Sequence, residues 1–296
     1  MATLYTQQDS NIRKTWALLA GFLLVVIGLG WVFAQVWGEP YILYGAIIFS
    51  LIMNFASYWW SDKIALAMSG AKPASREQYF GLVTTVENLA ITAGLPTPKV
   101  YIINDPAPNA FATGRDKNHA AVAVTTGLLG MMENEELEGV IAHELAHIGN
   151  RDILLSTVVV VLVGFIAILS DIFMRSAMFG SGDRDNKAGA ILVIVGVVLA
   201  ILSPIVATLI QLAISRRREF LADATGALLT RYPEGLARAL EKISGYQAPM
   251  RKASNATAHL FISNPFGAGA LKGIHKLFMT HPPTAERVAA LRGLEI

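Results

Sequence analysis

Val140-Ile141-Ala142-His143-Glu144-Leu145-Ala146-His147-Ile148-Gly149-Asn150 is the stretch around which the rest of this 296-residue chain is organised. Read as a helix, it sets His143 and His147 on one face with their imidazoles converging, while Glu144 lies about 100° round the axis. Neutral imidazole suits zinc, and a carboxylate just outside the coordination sphere can take a proton from an activated water. The HExxH spacing therefore marks His143 and His147 as candidate ligands and Glu144 as a candidate general base. The same spacing also arises on ordinary surface helices, so its meaning rests on partners elsewhere in the chain.

Composition says where such a site sits. Only 16% of the residues are charged and the mean hydropathy is +0.47, which is too apolar for an ordinary soluble domain and points to a membrane protein. The net charge is +2, with basic residues in short clusters and no broad basic face for nucleic acid. The chain has no cysteine, which excludes thiolate ligands, disulfides and cysteine nucleophiles and suits a reducing compartment. Any metal must be held by histidine and carboxylate.

N-terminal to the motif, residues 1–14 read as a polar cytoplasmic tail and 15–60 as a transmembrane hairpin. The runs Trp16–Trp37 and Tyr41–Trp60 carry no charged residue, are long enough to span a bilayer and are joined by Gly38-Glu39-Pro40. The first lacks a small-residue cleavage site and so reads as an uncleaved span. Arg13 and Lys14 before the hairpin, with Lys63, Lys72 and Arg76 after it, place both flanks in the cytoplasm.

Residues 61–152 read as the first half of a cytoplasmic peptidase domain. Phe80, Leu82, Val83, Val86, Leu89 and Ile91 recur at helical spacing between Arg76 and Gly94. Lys99–Ile103, Ala110–Gly114 and Ala120–Val124 read as a small sheet whose free edge could hold an extended peptide by main-chain hydrogen bonds. Asn134 is the expected N-cap of the motif helix.

C-terminal to the motif, residues 153–214 read as a second hairpin. Ile153 to about Ser170 and Ala188–Ile214 are its spans, with Pro204 as a kink and the polar loop Arg175–Lys187 between them. A hairpin packed on the soluble domain without crossing is the other reading. Residues 215–296 form the second half of the peptidase domain, with a helix at Pro233–Gly245 and a glycine-rich segment at Asn264–Gly273.

A catalytic zinc with two histidines needs a third protein ligand and an open position. Residue 150 is Asn and residue 153 is Ile, so the run lacks a third histidine at metzincin spacing. Glu219 and Asp223, four apart on one helical face, supply the carboxylates. One can bind the metal while the other hydrogen-bonds a ligand histidine, and Glu219 is favoured as the ligand. Without the motif, Glu219 would read as a surface partner of Arg216, Arg217 and Arg218.

Five stretches, in this order and spacing, resemble the M48 metallopeptidases and, within them, membrane proteases of the HtpX type: Ser69–Pro73, Asn109–Gly114, Val140–His147, Ser215–Asp223, and His281-Pro282-Pro283 followed by Arg287. The resemblance covers nearly the whole chain. It implies a zinc-dependent endopeptidase with His143, His147 and Glu219 as ligands and Glu144 as base. It also implies that the enzyme faces the cytoplasm and acts in quality control of damaged membrane proteins, within a stress response. It places His281 and Arg287 near the zinc, where His281 could stabilise an oxyanion or merely cap the last helix. His119, His259 and His275 have no partner spacing and read as structural or exposed.

The expectation is thus a mainly α fold with a small β-sheet, a zincin-like (gluzincin) catalytic domain on a four-helix transmembrane region of the cell inner membrane, and one Zn2+ per chain. Polypeptides, membrane proteins among them, are the expected substrates, with self-cleavage and the lipid bilayer as further interactions and no nucleic acid. Asn109, Ala110, Phe111, Ala112 and Arg287 are the candidate substrate contacts, Asp223 the candidate support of a ligand histidine. Two alternatives stand beside this reading. One is an M48 processing protease of the prenyl-protein type, the other a non-enzymatic scaffold with a vestigial metal site. An intramembrane protease is disfavoured by Glu133, Glu135, Glu136 and Glu138 on the motif helix.

Overall fold

The computed structural model describes residues 4–179, 216–254, 256–267 and 282–294. The run Ala188–Ile214, most of the loop Arg175–Lys187, His275 and His281 lie outside the described residues.

Helices α1 (Leu4–Trp37) and α2 (Tyr41–Trp59) form the expected hairpin, turning at Gly38, whose φ of 70° suits a residue without Cβ. Among the described residues these are the two helices long and apolar enough to cross a membrane, over Asp9–Trp31 and Tyr41–Trp59. Their outer faces expose Leu24, Ile48, Leu51, Ile52 and Phe55, as helices solvated by lipid would. The segment expected as a tail differs. It is helical from Leu4, continuous with the apolar run, and Asn11 within it and Thr15 just after it are buried. Asp9 and Arg13 are exposed, so the polar residues here divide between a buried stripe, Asn11 and Thr15, and an exposed face.

Beyond α3 (Ser61–Met68), strand β1 (Ala71–Pro73), helix α4 (Phe80–Thr92) and strands β2 (Lys99–Ile103), β3 (Ala110–Gly114) and β4 (Ala120–Thr125) build a sheet of order β1-β2-β4-β3. β1 runs antiparallel to β2, β2 parallel to β4, and β3 antiparallel to β4. The sequence reading missed β1, whose three residues carry no alternation. Every residue of β3 and β4 is buried, because both sheet faces are covered. Side chains alternate between the two. Ala110, Ala112, Val122 and Val124 face one core cluster with helices α4 and α6 (Asn134–Gly149), whereas Phe111, Ala121 and Ala123 face another with Ala65, Leu66 and Val160.

α6 is the central helix, with residues 139–146 all buried. Its N-cap is Glu133 and not Asn134. Three residues on, the Glu136 carboxylate accepts from the Glu133 N–H at 2.9 Å, which a cap at Asn134 could not offer. Helices α8 (Arg216–Thr230) and α9 (Pro233–Gly245) cross α6 at two glycines. A Cβ on Gly226 would lie 2.9 Å from the His143 backbone N, and one on Gly139 would lie 2.6 Å from the Leu236 backbone N. The short helix α5 (Thr126–Met131) and the last helix α10 (Thr284–Arg292) complete the described fold.

α6 passes into α7 (Asp152–Phe179) through a break at Arg151, whose φ is 57°. The two axes differ by 86°, and among the described residues Asn134–Gly149 and Asp152–Phe165 are together, as a bent pair, long and apolar enough to cross a membrane. The start of α7 is enclosed by protein. Val158–Val163 are at most 5% exposed, and Val158 and Leu162 pack on Leu19 and Phe22 of α1.

Candidate metal centre

The tight α6–α8 crossing at Gly226 brings Glu219 and Asp223 onto the face of α6 that carries the histidines. His143 Nε2 and His147 Nε2 lie 3.2 Å apart, and Glu219 reaches each of them, Oε2 at 3.8 Å from His143 and Oε1 at 3.7 Å from His147. These three side chains are the group among the described residues able to offer one ligand atom each to a single ion. The other nitrogen of each ring faces a carboxylate. Asp223 Oδ1 lies 2.9 Å from His143 Nδ1, and Asp152 Oδ2 lies 3.1 Å from His147 Nδ1.

That pattern tests whether the residues fit zinc. Carboxylates at both Nδ1 atoms fix those nitrogens as donors, which leaves two Nε2 lone pairs facing each other and a third acceptor, Glu219, beside them. Such an arrangement repels itself unless an electrophile sits between. Tetrahedral zinc with bonds of about 2.0–2.1 Å would separate two nitrogen ligands by roughly 3.4 Å, close to what is seen. Charge agrees with geometry. Burial acts to lower the His147 pKa, but the Asp152 hydrogen bond and the charges of Glu219 and Glu144 outweigh it and raise it to about 9.

Glu144 is 2% exposed, and burial pushes its carboxyl up, against the opposing pull of His143 and His147. The Ala112 backbone N–H donates to it. Glu144, His147 and Glu219 share a cavity of about 30 Å³ with Ala112 and His259, room for a water or an ion.

Arg287 is 2% exposed and lies behind the site. Its Nε and Nη2 donate to the two Asp223 oxygens at 2.8 and 2.6 Å, and its Nη1 donates to the Ile262 carbonyl at 3.4 Å. Burial alone would raise the Asp223 carboxyl, but this fork holds it well below the usual carboxylate range. The expected substrate contact of Arg287 is therefore not what its own neighbours describe: it is engaged with a ligand's supporting carboxylate. Phe111 likewise faces away from the site, edge-on to Phe261 at 5.1 Å. Asn109, Ala110 and Ala112 do lie on the β3 edge, where the Ala110 carbonyl accepts from Ile262 N–H at 2.9 Å and the Asn109 side chain bridges Ser263.

Three neighbours of the site were not read from the sequence. Asp152 stands five residues after His147, off the helical period, and reaches back only because Arg151 turns the chain. Asn11 touches Asp152 from α1. His259, read as structural or exposed, is 5% exposed and donates from Nε2 to the Ser156 carbonyl at 2.9 Å, leaving Nδ1 with no hydrogen-bond partner among the described residues. A histidine elsewhere behaves as expected: His119 is solvent-exposed and paired with Asp116 at 2.8 Å.

The sequence profile of peptidase family M48 matches residues 78–295, a span that holds every ligand and base named above. The chain belongs to peptidase family M48. It is 51% identical, over 99% of both chains, to a protein named protease HtpX homolog from Caldanaerobacter subterraneus subsp. tengcongensis. It is 50% identical, over 99% of this chain and 98% of the other, to one of the same name from Thermoanaerobacter pseudethanolicus. A third of that name, from Tropheryma whipplei strain Twist, is 46% identical over 98% of each chain. The crystal structure of S. mikatae Ste24p is similar at a TM-score of 0.49 and 17% identity, over 97% of this chain and 67% of that one.

Proposed function

We propose that this M48 peptidase is a membrane-embedded zinc endopeptidase that cleaves damaged or misassembled membrane proteins beside the bilayer. The observation that carries the reading is the pair of imidazole Nε2 atoms 3.2 Å apart, each backed by a carboxylate at Nδ1 and closed by Glu219. Zinc held there by His143, His147 and Glu219 would supply Lewis-acid polarisation of the scissile carbonyl and acidify a water.

The chain's own residues do the rest. Glu144, desolvated and therefore more basic than an exposed carboxylate, takes the proton of the attacking water and hands it to the leaving amine. Asp223 and Asp152 hold the two imidazoles in the tautomer that presents Nε2. The substrate main chain runs along the β3 edge past Asn109, Ala110 and Ala112, exchanging with the hydrogen bonds that Ile262 and Glu144 now make there. The family resemblance puts His281 near the zinc, where it would either stabilise the oxyanion or cap the last helix.

The location follows from two features. α1 and α2 are two apolar helices of spanning length whose hairpin is flanked by Arg13, Lys14, Lys63, Lys72 and Arg76, which supports a cytoplasmic peptidase domain at the inner membrane. The second hairpin of the proposed four-helix region is assigned to residues 153–214 from their apolar sequence, with 180–214 lying outside the described residues. Because both His143 and Glu219 must reach one metal, the intervening segment crosses the bilayer an even number of times.

The test is Glu144→Gln in full-length protein purified in detergent. Zinc stoichiometry should stay at that of the wild type while cleavage of casein, and any self-cleavage, falls roughly 100- to 10,000-fold. Equal turnover by the variant would remove Glu144 as the base and favour the scaffold reading if the wild type were equally inert.

A further inference from the structure

Asn11 lies in the first candidate membrane helix, 1% exposed, and meets the metal centre through two charged partners. Its Nδ2 donates to Asp152 Oδ1 at 2.5 Å, and its Oδ1 accepts from Arg218 Nη1 at 3.2 Å. Asp152 thereby has one oxygen on Asn11 and the other on His147 Nδ1. Arg218, 3% exposed, precedes the ligand Glu219 on α8, and its guanidinium lies 3.9 Å from Asp152. One amide thus joins the two separate parts of the chain that bring ligands to the metal.

The chemistry suits asparagine and little else. The site needs a donor toward a carboxylate and an acceptor toward a guanidinium from one short side chain, and only a primary amide offers both in fixed geometry. Aspartate would set two carboxylates face to face, and an apolar residue would leave Asp152 Oδ1 and Arg218 Nη1 buried with one partner fewer. Asparagine is also a poor helix former, so helix propensity does not explain its place in α1. The register that delivers it is held below by Leu19 and Phe22 against Val158 and Leu162 of α7.

We propose that Asn11 is a positioning residue of the metal centre, acting through Asp152 on His147, so that the first membrane helix is part of the catalytic unit and not only its anchor. The proposal rests on the zinc reading of His143, His147 and Glu219. It predicts that the distance between α1 and the peptidase domain sets how firmly the metal is held.

The experiment compares zinc loss to a chromogenic chelator, and kcat against KM, for the full-length protein in detergent. Asn11→Ala should weaken zinc binding by roughly tenfold, the lower end of the 10- to 100-fold range seen when the direct partner of a ligand histidine is removed, and lower kcat with KM little changed. In an Asp152→Ala background the same change should cost less than about threefold more, because its path to His147 is gone. Asn54→Ala removes a different bond of α1, from Asn54 Nδ2 to the Leu19 carbonyl at 3.1 Å, and should lower the melting temperature without loosening zinc. If Asn11→Ala yields no folded protein, Asn11→Asp, of the same size, should loosen zinc by a similar factor. Wild-type zinc affinity in either Asn11 variant overturns the proposal, as does an undiminished effect in the Asp152→Ala background or an equal zinc loss in Asn54→Ala. A wild-type chain that binds no zinc would remove the metal reading itself, and this proposal with it.

Discussion

The two candidate ligand histidines come from one helix, four residues apart, yet they are held in different ways. His143, its side chain 1% exposed, is backed by Asp223, which a buried Arg287 grips with two hydrogen bonds, all from the C-terminal half of the peptidase domain. His147, 17% exposed, is backed by Asp152 at the start of α7, which is held in turn by the neutral amide of Asn11 from α1. One support is a charge-neutralised pair locked within the soluble domain. The other reaches into the helices of the membrane region. The proposed metal centre thus has one support within the peptidase domain and one that meets the candidate membrane helix α1.

The sharpest way to break the comparison is to remove the lock on the His143 side. Arg287→Met leaves Asp223, 2% exposed, as a buried charge without its fork, and one-sided loss of a buried pair costs about 3–5 kcal/mol. Chemical denaturation of the variant should show that loss, and zinc should dissociate faster. Arg287→Lys should not restore either, because an ammonium cannot make the two parallel bonds. Unchanged stability with a raised KM would instead return Arg287 to the substrate-binding role that its place in the motif suggested.

Acid should separate the two sides next. Asp223 is held far below the usual carboxylate range, so its contribution is present above its unfolded value of about 3.8 and is not lost until the pH falls well below that. His259, near Arg218 and in the cavity with Glu144, His147, Asp152 and Glu219, behaves oppositely. Burial, with the Arg218 charge adding to it against the pull of the Ser156 hydrogen bond, lowers its pKa from 6.5 to about 4. The unfolded chain then takes up a proton below pH 6.5 that the folded chain refuses until about pH 4, so stability falls across that window by about 3 kcal/mol. Unfolding curves between pH 4 and 7 should show this slope, and His259→Gln should flatten it. An identical slope in the variant would assign the acid sensitivity to other groups.

What the sequence shows follows the same division. The sheet strands at 99–103 and 110–114, the helix at 233–245, and the grouping of His143 and His147 on one face and of Glu219 and Asp223 on another are legible because each rests on a short local period. Asp152, Asn11 and His259 are not, since their roles depend on a left-handed turn, on a helix packed 141 residues away in sequence, and on a short turn closing over the cavity. The burial of Asn11 within the polar stretch before the first apolar run is hidden for the same reason. Polarity alone does not distinguish a solvated tail from a helix that turns its polar stripe toward a buried site. Arg287 was found, but its function as a grip on Asp223 requires the tertiary fold.

The smallest expected effect concerns the turn on which the His147 side depends. Arg151 has φ 57°, a left-handed conformation that costs a non-glycine residue roughly 1–2 kcal/mol, and its side chain is exposed. Its backbone is what matters, because the 86° bend between α6 and α7 starts here and brings Asp152 back to His147. Glycine adopts this conformation freely but gains entropy in the unfolded chain, so the two effects of Arg151→Gly oppose each other and the net change should stay within about 1 kcal/mol. Isoleucine has no such freedom, and its branched Cβ makes the left-handed state costlier still. Arg151→Ile should therefore lower the melting temperature and speed zinc loss, while Arg151→Gly leaves both near wild type. On the His143 side the support itself sits in regular backbone, for Asp223 lies within the helix Arg216–Thr230. If Arg151→Ile were as well tolerated as Arg151→Gly, the bend would not be what positions Asp152, and the His147 support would have to be attributed to Asn11 and Arg218 alone.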